Sequence, residues 1–573
     1  MELRIRGIAP TDAEREAIES VLGRPAATSD HERRGGQALR SRRHQLLPTL
    51  HAVNDRVGWI SQPAIDHIAE RLDVSPAEIF GVATFYGLFS TAERAGRQVH
   101  VCVDLACLAA GGARDADLPP GTRASPCLGL CEQAPAALVV EPGDPVRRST
   151  VGGLDLRMLE QLAAGGPIEP RSTRTLASVP QAGAGDLVLL ARADGADPLD
   201  LDAYVERGGL QALARAREIG ADAVIALVDA AGLIGRGGAG FPTARKWAAV
   251  RAQAATPHHL VCNADESEPG TFKDRHLIEH DPFGLLESIC IAALATGCDH
   301  GWIYLRGEYP EAEAILLDAI DRLRTHGVLD GAFDIELRRG AGAYICGEET
   351  AIFNSIEGHR GEPRNKPPYP FEAGLFGLPT VVNNVETLMN VPSIVLGQPA
   401  ANRRVFCLSG AVAVPGVYEV ELGLTLGELI ELAGGLRPGS ELQAVLLGGA
   451  AGRYVGPDRL DLVLDHESVS AAGLTLGSGV VMVLDRSVDL VDQLRRIAAF
   501  FRDESCGQCV PCRVGTLRQE EVLDRLADGE RDGQVELLAD IGRAMADASI
   551  CGLGQTAHQA IESAIVDLGV FRP

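Results

Sequence analysis

The chain has 573 residues, of which 46% are hydrophobic and 23% are charged, as is ordinary for a globular protein of roughly three to five domains. Its formal net charge of −25 opposes nucleic-acid binding, because a phosphate backbone would be repelled. The first residues lack the apolar stretch of a signal peptide, and no apolar run reaches the ~18 residues of a membrane span. We therefore expect a cytoplasmic protein, in which clustered thiols indicate metal or redox sites rather than disulfides.

The N-terminal part predicts helices followed by a small α/β unit. After an N-terminal arm at 1–45, apolar residues recur at helical spacing from about Leu46 to Leu88. Gln98–Val103 and Ala136–Val140 alternate in the manner of strands. Cysteines in C-x4-C and C-x3-C pairs lie beside these strands, and they are Cys102, Cys107, Cys127 and Cys131. Four thiolates suit an iron–sulfur cluster, with zinc as the alternative, and this arrangement fits a thioredoxin-like layer over 46–165.

The rest of the chain divides by composition. Residues 166–186 are rich in Gly, Pro, Ser and Thr without apolar periodicity and predict a linker. An α/β domain is expected over 187–398 and a small β-rich α+β domain over 403–487. The helical pattern returns over 488–573.

The helical C-terminal region carries a second set of four cysteines. C-x2-C-x2-C is followed by one distant cysteine, so the set is Cys506, Cys509, Cys512 and Cys551. Zinc ribbons usually pair two C-x2-C knuckles, whereas a run of three plus one favours a [4Fe–4S] cluster; a zinc site is the alternative. The remaining cysteines stand singly in apolar surroundings, where small buried side chains are expected: Cys262, Cys290, Cys298, Cys346 and Cys407.

A glycine-rich segment opens the central α/β domain. Residues 235–240 have G-x-G-x-x-G spacing, but no acid follows where a Rossmann turn would place one. The segment still offers backbone N–H groups that can approach phosphate, with Arg236 and Lys246 adding positive charge. An ordinary glycine-rich turn is the alternative.

Two further segments pair glycines with acids. Asp265, Glu266 and Glu268 lie within four residues, and Glu348 and Glu349 follow a glycine-rich run. Ionised carboxylates accept hydrogen bonds from ribityl or ribose hydroxyls, although a solvated acidic turn is the alternative. Three such segments in one domain indicate a site for a phosphorylated cofactor.

These residues resemble the NADH-oxidising flavoprotein subunit of respiratory complex I. The motifs that carry the resemblance are GRGGAGFPT-x2-KW, CNADESEPGTFKDR, GAYICGEET and ESCGQC-x-PCR-x-GT. The region 403–487 resembles the family's soluble-ligand-binding β-grasp insert. Residues about 45–165, with FGVATFYGLF and Cys102 to Cys131, resemble the separate thioredoxin-like [2Fe–2S] subunit. The resemblance implies a natural fusion: a helical segment with a thioredoxin-like [2Fe–2S] domain, a Rossmann-like FMN and NADH domain, a β-grasp insert and a helical bundle with a [4Fe–4S] cluster.

The resemblance also implies which residues hold each cofactor. FMN would be held by Gly235, Arg236, Gly237, Gly238, Gly240, Lys246, Asn263, Asp265, Glu266, Tyr344, Gly347, Glu348 and Asn384. NAD(H) would lie against Phe241, Glu268, Glu349, Lys366 and Tyr369. Hydride would pass between nicotinamide and flavin, and single electrons would continue to the clusters. Glu348 and Glu349 are the catalytic candidates, tuning the flavin by their charge.

The second substrate requires a partner, because neither a [NiFe] site nor a molybdopterin domain is recognisable. The fused layout most resembles the β subunit of soluble NAD-dependent formate dehydrogenases, whose α subunit carries molybdenum or tungsten. The diaphorase subunit of NAD-reducing [NiFe] hydrogenases and the NADH dehydrogenase module of complex I are the alternatives. A zinc-bearing, nucleotide-sensing scaffold without turnover is the alternative of a different class.

Overall fold

The N-terminal helices form a layer that packs on the rest of the chain. The computed structural model describes residues 8–24, 37–94, 96–168, 172–398 and 401–571. The helices of this layer are Asp12–Leu22, Gln37–Arg40, Leu46–Val57, Gln62–Leu72 and Pro76–Ala83. Ser61 and Ser75 cap two of them, each followed by an early proline. Part of the expected arm at 1–45 is therefore packed structure, since Ile18 and Leu22 are buried; residues 1–7 and 25–36 lie outside the described ranges.

A mixed four-stranded sheet follows, in the order β2-β1-β3-β4. Its strands are β1 (Gln98–Cys102), β2 (Thr122–Ser125), β3 (Ala136–Glu141) and β4 (Arg147–Gly152), with helices Leu105–Ala109 and Leu156–Ala163. β1 and β2 are parallel, whereas β3 is antiparallel to both β1 and β4. The cysteines of the first set lie at the ends of these elements, as expected for the thioredoxin-like domain.

The central domain is built on a parallel sheet in the order β7-β6-β5-β8. Its strands are β5 (His259–Ala264), β6 (His300–Leu305), β7 (Asp334–Arg339) and β8 (Thr380–Asn384). Its helices are Leu201–Glu206, Gln211–Ile219, Ala221–Ala230, Thr243–Arg251, Lys273–His280, Pro282–Thr296, Pro310–Thr325, Glu349–Ile356, Pro370–Ala373, Val385–Met389 and Val391–Val395. The glycine-rich segment joins two helices rather than a strand and a helix, which explains why it lacks the Rossmann acid.

The small α+β domain is a five-stranded sheet in the order β10-β9-β13-β11-β12. Its elements are β9 (Arg403–Gly410), β10 (Gly416–Glu421), β11 (Leu442–Leu447), β12 (Arg453–Val455), β13 (Val480–Asp485) and helices Leu426–Leu432 and His466–Ala471. The C-terminal bundle consists of helices Leu490–Glu504, Val510–Ala527, Gln534–Ala548, Gly552–Thr556 and Gln559–Val566. None of the helices in the described ranges combines the length and apolarity that crossing a bilayer requires.

One continuous apolar core runs through the helical layer, the central domain and the bundle. The thioredoxin-like and β-grasp sheets add smaller cores of their own. The domains therefore meet over buried surfaces, and the parallel sheet presents its carboxyl ends toward the place where they converge.

The described part of the predicted linker at 166–186 is packed on the domains around it. Residues 172–190, here called the strap, run along the β-grasp domain; residues 169–171 lie outside the described ranges. Thr173 and Val179 are buried, and Gln181 exchanges two hydrogen bonds with the backbone of Glu419 in β10. The Glu419 carboxylate accepts the N–H groups of Val188 and Leu190, both at 2.9 Å. Composition alone suggested a linker because the strap is anchored by backbone contacts and single side chains rather than by a periodic apolar face.

Glu419→Ala should loosen this strap strongly. The carboxylate is fully buried and also pairs with Arg403 at 2.7 Å, so its removal leaves two amides without a partner and leaves Arg403 only with carboxylates that are exposed. We expect a loss of about 3 kcal/mol in local stability, measured as faster hydrogen exchange of the Val188 and Leu190 amides. Glu421→Ala is the matched control, because that exposed carboxylate binds the same arginine at 3.3 Å and is expected to contribute about 0–1 kcal/mol. Equal exchange in the two variants would contradict the anchoring role.

Candidate functional site

A cleft of about 460 Å³, here the central cleft, opens at the carboxyl ends of the parallel strands. Asn263 is the last residue but one of β5 and Asn384 ends β8, and both line it. Because β6 lies on one side of β5 and β8 on the other, the cleft sits where the strand order reverses, which is the usual ligand position in open α/β sheets. Its volume suits a cofactor of nucleotide size.

Glycines form the floor of the central cleft. Gly237, Gly238 and Gly347 line it, and Gly238 has a φ of +117°, which side-chain-bearing residues rarely adopt. A Cβ at Gly237 would approach the Asn384 side chain to 3.2 Å. Such a surface leaves backbone N–H groups open to a phosphorylated ligand, so the residues present fit FMN.

Three carboxylates occupy one wall of the central cleft, in a segment here called the acid loop (residues 263–268). Burial raises the pKa of Asp265 to about 8, of Glu266 to about 8 and of Glu268 to about 7. Glu266 accepts N–H bonds from Asp274 and Arg275, and Glu268 accepts the Tyr344 hydroxyl at 2.5 Å and the Ala451 N–H at 2.8 Å. The acid loop is therefore held rigidly.

A charged network lies at the rim of the central cleft. Glu349 sits between Lys246 at 3.4 Å and Lys366 at 2.7 Å, and Lys366 also binds Glu348 at 3.1 Å. Burial would raise the pKa of Glu349, but the two lysines hold it below its ordinary value. Of these four side chains only Glu348 lines the cleft, and its carboxylate also caps the helix Glu349–Ile356.

The side chain of Arg236 does not point at the cleft, which corrects the expectation that its charge supports a phosphate. Its guanidinium is buried and donates to the carbonyl oxygens of Ala401 at 2.6 Å and Arg403 at 3.3 Å. Arg236 therefore connects the glycine-rich segment at 235–240, here the glycine loop, to the β-grasp domain. A buried guanidinium needs several acceptors, and the adjoining strand end supplies them.

Other predicted residues lie near the cleft without lining it. Phe241 and Tyr369 are each 48% exposed, and Tyr369 stacks on Phe371 at 5.8 Å. The Gly235 N–H bonds the Phe241 carbonyl and closes the glycine loop, and Gly240 adopts a φ of +63° within it. Exposed aromatic rings at a rim remain accessible to a second ligand, as a dinucleotide would require.

The cleft also has walls that the sequence did not predict. They come from three places: Ser267 of the acid loop with Thr271 and Asp274 just after it; Gly448, Ala451, Thr475, Gly477 and Ser478 of the β-grasp domain; and Gly552, Leu553, Thr556 and Gln559 of the bundle. The glycine pairs of the β-grasp domain were a usable signal, because glycine permits close approach: a Cβ at Gly449 would lie 2.6 Å from Glu268. The participation of the bundle had no local signal.

The second cysteine set converges on one small pocket, here the four-cysteine pocket. Cys506, Cys509, Cys512 and Cys551 all line it, with Ile345, Pro363, Ser505, Gln508, Ile550 and Leu553. Gly507 turns the chain at a φ of +78°. Thiolates around a mostly apolar pocket fit an iron–sulfur cluster.

The first cysteine set is buried in the thioredoxin-like domain. The Sγ atoms of Cys127 and Cys131 are 3.4 Å apart, and the Cys102 thiol is in hydrogen-bond contact with Cys107 and Cys127. Asp104 caps the helix that carries Cys107 and accepts the Cys127 N–H at 3.1 Å. The four thiols thus form one donor set of the kind that holds a cluster. The five single cysteines are buried as expected.

The central cleft and the four-cysteine pocket share a wall. Ile345 and Leu553 line both cavities, so single side chains separate them. A further cavity of about 470 Å³ is lined by Cys127, Cys506 and Tyr344 together. One residue of each cysteine set therefore borders this further cavity.

Four family models match the chain. They are described as the Nuo51 FMN-binding domain at 228–393, the NADH-ubiquinone oxidoreductase-F iron-sulfur binding region at 492–568, the thioredoxin-like [2Fe-2S] ferredoxin at 35–118 and the SLBB domain at 405–455. Together with the relatives below, they confirm the fold class, the oxidoreductase class and the cofactors FMN, NAD(H), [4Fe–4S] and [2Fe–2S].

Several known proteins are similar over most of the chain. The NADH-quinone oxidoreductase F subunit of Aquifex aeolicus is 43% identical, covering 66% of this chain and 92% of that protein. The NADP-reducing hydrogenase subunit HndC of Solidesulfovibrio fructosivorans is 39% identical, covering 64% and 79%. A chain in the crystal structure of an H2-reduced NAD+-reducing [NiFe]-hydrogenase superposes with a TM-score of 0.78 and 32% identity, covering 93% of this chain and 94% of that one.

The buried acids predict how stability depends on pH. The folded pKa values of Asp265, Glu266 and Glu268 lie above the ordinary 3.8 to 4.5, so the folded state holds protons that the unfolded state releases. Stability of flavin-depleted protein should be fully present below the ordinary pKa values and fall as pH rises through about 7 to 8. Thermal midpoints measured between about pH 6 and about pH 9 test this. Glu268→Gln should flatten the dependence, whereas exposed Glu431→Gln should not; a midpoint constant with pH would contradict the assignment.

Proposed function

The chain belongs to the family of the NADH-quinone oxidoreductase F subunits, and from this premise we propose that it is the diaphorase of a larger complex. It moves electrons between NAD(H) and iron–sulfur clusters through FMN. The partner would hold the site of the second substrate. The observation that carries the proposal is the wall shared by the central cleft and the four-cysteine pocket.

The central cleft is proposed as the flavin site. The glycine floor would receive the phosphate through backbone N–H groups, and the oxygens of Asn263, Asp265 and Asn384 would accept the ribityl hydroxyls. When bound, FMN would supply the conversion between one hydride, which carries two electrons, and electrons that leave one at a time. The protein contributes position, because rigid walls hold the ligand while Ile345 and Leu553 keep the way to the cluster short.

The rim of the cleft is proposed as the nicotinamide nucleotide site. Exposed Phe241 and Tyr369 offer apolar faces, and Lys366 offers a cation. Glu349 is held ionised between Lys246 and Lys366, so it can accept ribose hydroxyls without a proton change. With Glu348, it would tune the flavin potential by its charge, which Lys246 and Lys366 offset.

An apolar face beside the four-cysteine pocket supports a docking site for the partner subunit. Val510, Val514 and Leu517 project from one side of the helix Val510–Ala527 and are 59%, 45% and 44% exposed. Ile550, which lines the pocket, is 36% exposed. Exposed apolar patches usually mark protein contacts, and an electron acceptor must approach the cluster closely. The proposed occupant is therefore the subunit that carries the next redox centre.

Two partner classes are open to test. The sequence predicts a molybdenum or tungsten formate dehydrogenase α subunit, which stays a prediction. The hydrogenase alternative gains support from the solved NAD+-reducing [NiFe]-hydrogenase chain, because the match extends over 93% of this chain and so includes the fused layout. The Aquifex aeolicus relative aligns over 92% of its own length but with only 66% of this chain.

Cys512→Ser tests whether electrons pass from the flavin to the partner through the four-cysteine site. Removing one of four thiolates should disrupt the cluster and abolish electron delivery to the partner, while NADH–ferricyanide turnover largely survives, since ferricyanide can be reduced at the flavin. Steady-state assays with both acceptors, together with iron and sulfide content, measure this. Cys298→Ser is the control, because that buried thiol lies outside both cysteine sets. Undiminished delivery to the partner in Cys512→Ser would contradict the proposal.

Leu517→Asp tests the docking face and identifies the partner. A carboxylate on an apolar contact should prevent co-purification of the partner with little effect on NADH–ferricyanide turnover. Leu317→Asp is the matched control, since that leucine is 49% exposed on a helix of the central domain. Metal analysis of the wild-type complex then decides the class: molybdenum or tungsten supports formate, and nickel supports hydrogen. Retention of the partner by Leu517→Asp would contradict the docking face.

A further inference from the structure

A buried arginine connects the first cysteine set to the wall of the central cleft. Arg306 directly follows β6 and is 2% exposed. One guanidinium nitrogen donates to the carbonyl oxygen of Glu266 in the acid loop. The other donates to the carbonyl oxygen of Cys127 at 2.5 Å and to Glu308 at 2.9 Å. One planar side chain therefore touches a cluster ligand residue and a residue of the flavin wall.

Both ends of this bridge are held independently. The Glu266 carboxylate accepts N–H bonds from Asp274 at 2.9 Å and Arg275 at 3.0 Å, and the Tyr309 hydroxyl at 3.0 Å. On the other side, Cys127 donates its own N–H to Asp104 at 3.1 Å. Since neither end can shift freely, the guanidinium fixes the spacing between the two loops.

A second buried arginine, Arg275, also joins the loop of the first cysteine set to the central domain. Arg275 is 1% exposed and donates to the carbonyl of Gly129 at 3.1 Å and to Glu132 at 2.5 Å, on either side of Cys131. Gly129 has a φ of +65° and lies against the Tyr309 ring, so the cysteine loop is in direct contact with the central domain. The junction is thus built from fixed charges rather than from apolar packing alone.

The positive charge of Arg306 lies where it can affect the reduction potential of the [2Fe–2S] site. Reduction adds one electron, and so one negative charge, to the buried [2Fe–2S] site; the electron comes from NADH by way of the flavin. Net charge and hydrogen bonding near the thiolates set the potentials of such clusters. Arg306 is the cation that contacts both the Cys127 ligand residue and the acid loop, and in a buried site its charge is weakly screened.

We propose that Arg306 is a positioning residue that holds the Cys127 loop against the acid loop and raises the reduction potential of the [2Fe–2S] cluster. The proposal rests on the proposed function, because it assumes a flavin in the central cleft. The charge of Arg306 and the planar arrangement of its guanidinium N–H groups contribute separately. A lysine keeps the charge but cannot donate to Glu266, Cys127 and Glu308 in the same way.

Two variants separate these contributions in the holoprotein. Arg306→Gln removes the charge and leaves the Glu308 carboxylate without its cation, so the [2Fe–2S] midpoint potential should move to more negative values. Arg306→Lys should shift the potential less, but NADH-driven reduction of the [2Fe–2S] cluster should be about tenfold slower, because the loop spacing is no longer fixed. Redox titrations monitored by electron paramagnetic resonance and rapid-mixing reduction measure the two effects.

Arg338→Lys is the matched control. Arg338 is also a buried arginine of the central domain; it pairs with Glu336 at 2.8 Å and donates to the carbonyl of His44, and it contacts neither cysteine set. It should change neither property, and the [4Fe–4S] potential should stay constant in all variants.

The outcomes distinguish this proposal from the proposed function. If both clusters and flavin are present and NADH reduces them, but the [2Fe–2S] potential and reduction rate equal those of wild type in both Arg306 variants, the role of Arg306 is overturned and the diaphorase function stands. If wild-type protein lacks flavin or is not reduced by NADH, the function itself fails. If Arg306→Gln does not retain its [2Fe–2S] cluster, Arg306→Lys alone tests the proposal. A slower NADH-driven reduction of the cluster in that variant supports it, and a wild-type rate overturns it.

Discussion

The burial of several carboxylates at one meeting point of domains is the constraint on which this structure depends. Glu266 is buried and Asp265 and Glu268 are half-buried in the wall of the central cleft, and each must be satisfied by a donor or take up a proton. The donors come from different domains: Tyr344 and Asp274 from the central domain, and Ala451 from the β-grasp domain. The same contacts that satisfy the acids therefore assemble the site.

Charged side chains, rather than separate apolar faces alone, tie the domains together. Arg236 fastens the glycine loop to the start of β9, Glu419 fastens the strap to β10, and Arg306 and Arg275 fasten the cysteine loop to the central sheet. Buried charges are costly unless every partner is in place, so such junctions favour one arrangement of the domains. For an electron-transfer protein a fixed arrangement has a direct use, because the carriers must keep constant distances.

The elements that were predictable from sequence were those whose signals are local. The two cysteine sets have spacings that thiolate clusters require, and the structure brings each set together. The acid loop and the glycine floor were recognisable because acids and glycines stood side by side. Arg236 was misread because a cation next to glycines suggests a phosphate contact, whereas the orientation of its side chain depends on acceptors about 165 residues away. The predicted linker at 166–186 is packed over its described part for a similar reason, since Gln181 bonds the backbone of Glu419, which is distant in sequence.

The sequence by itself determined the chemistry of this protein: which residues can hold clusters and which loops can receive a phosphorylated cofactor. Those properties follow from residue type and short spacing, which need no knowledge of distant contacts. Only the tertiary structure decided that β-grasp and bundle residues complete the central cleft, that Ile345 and Leu553 separate it from the four-cysteine pocket, and that Arg306 joins it to the Cys127 loop. These relations join residues far apart along the chain, and hydrogen-bond geometry and close packing specify them only once the domains have met.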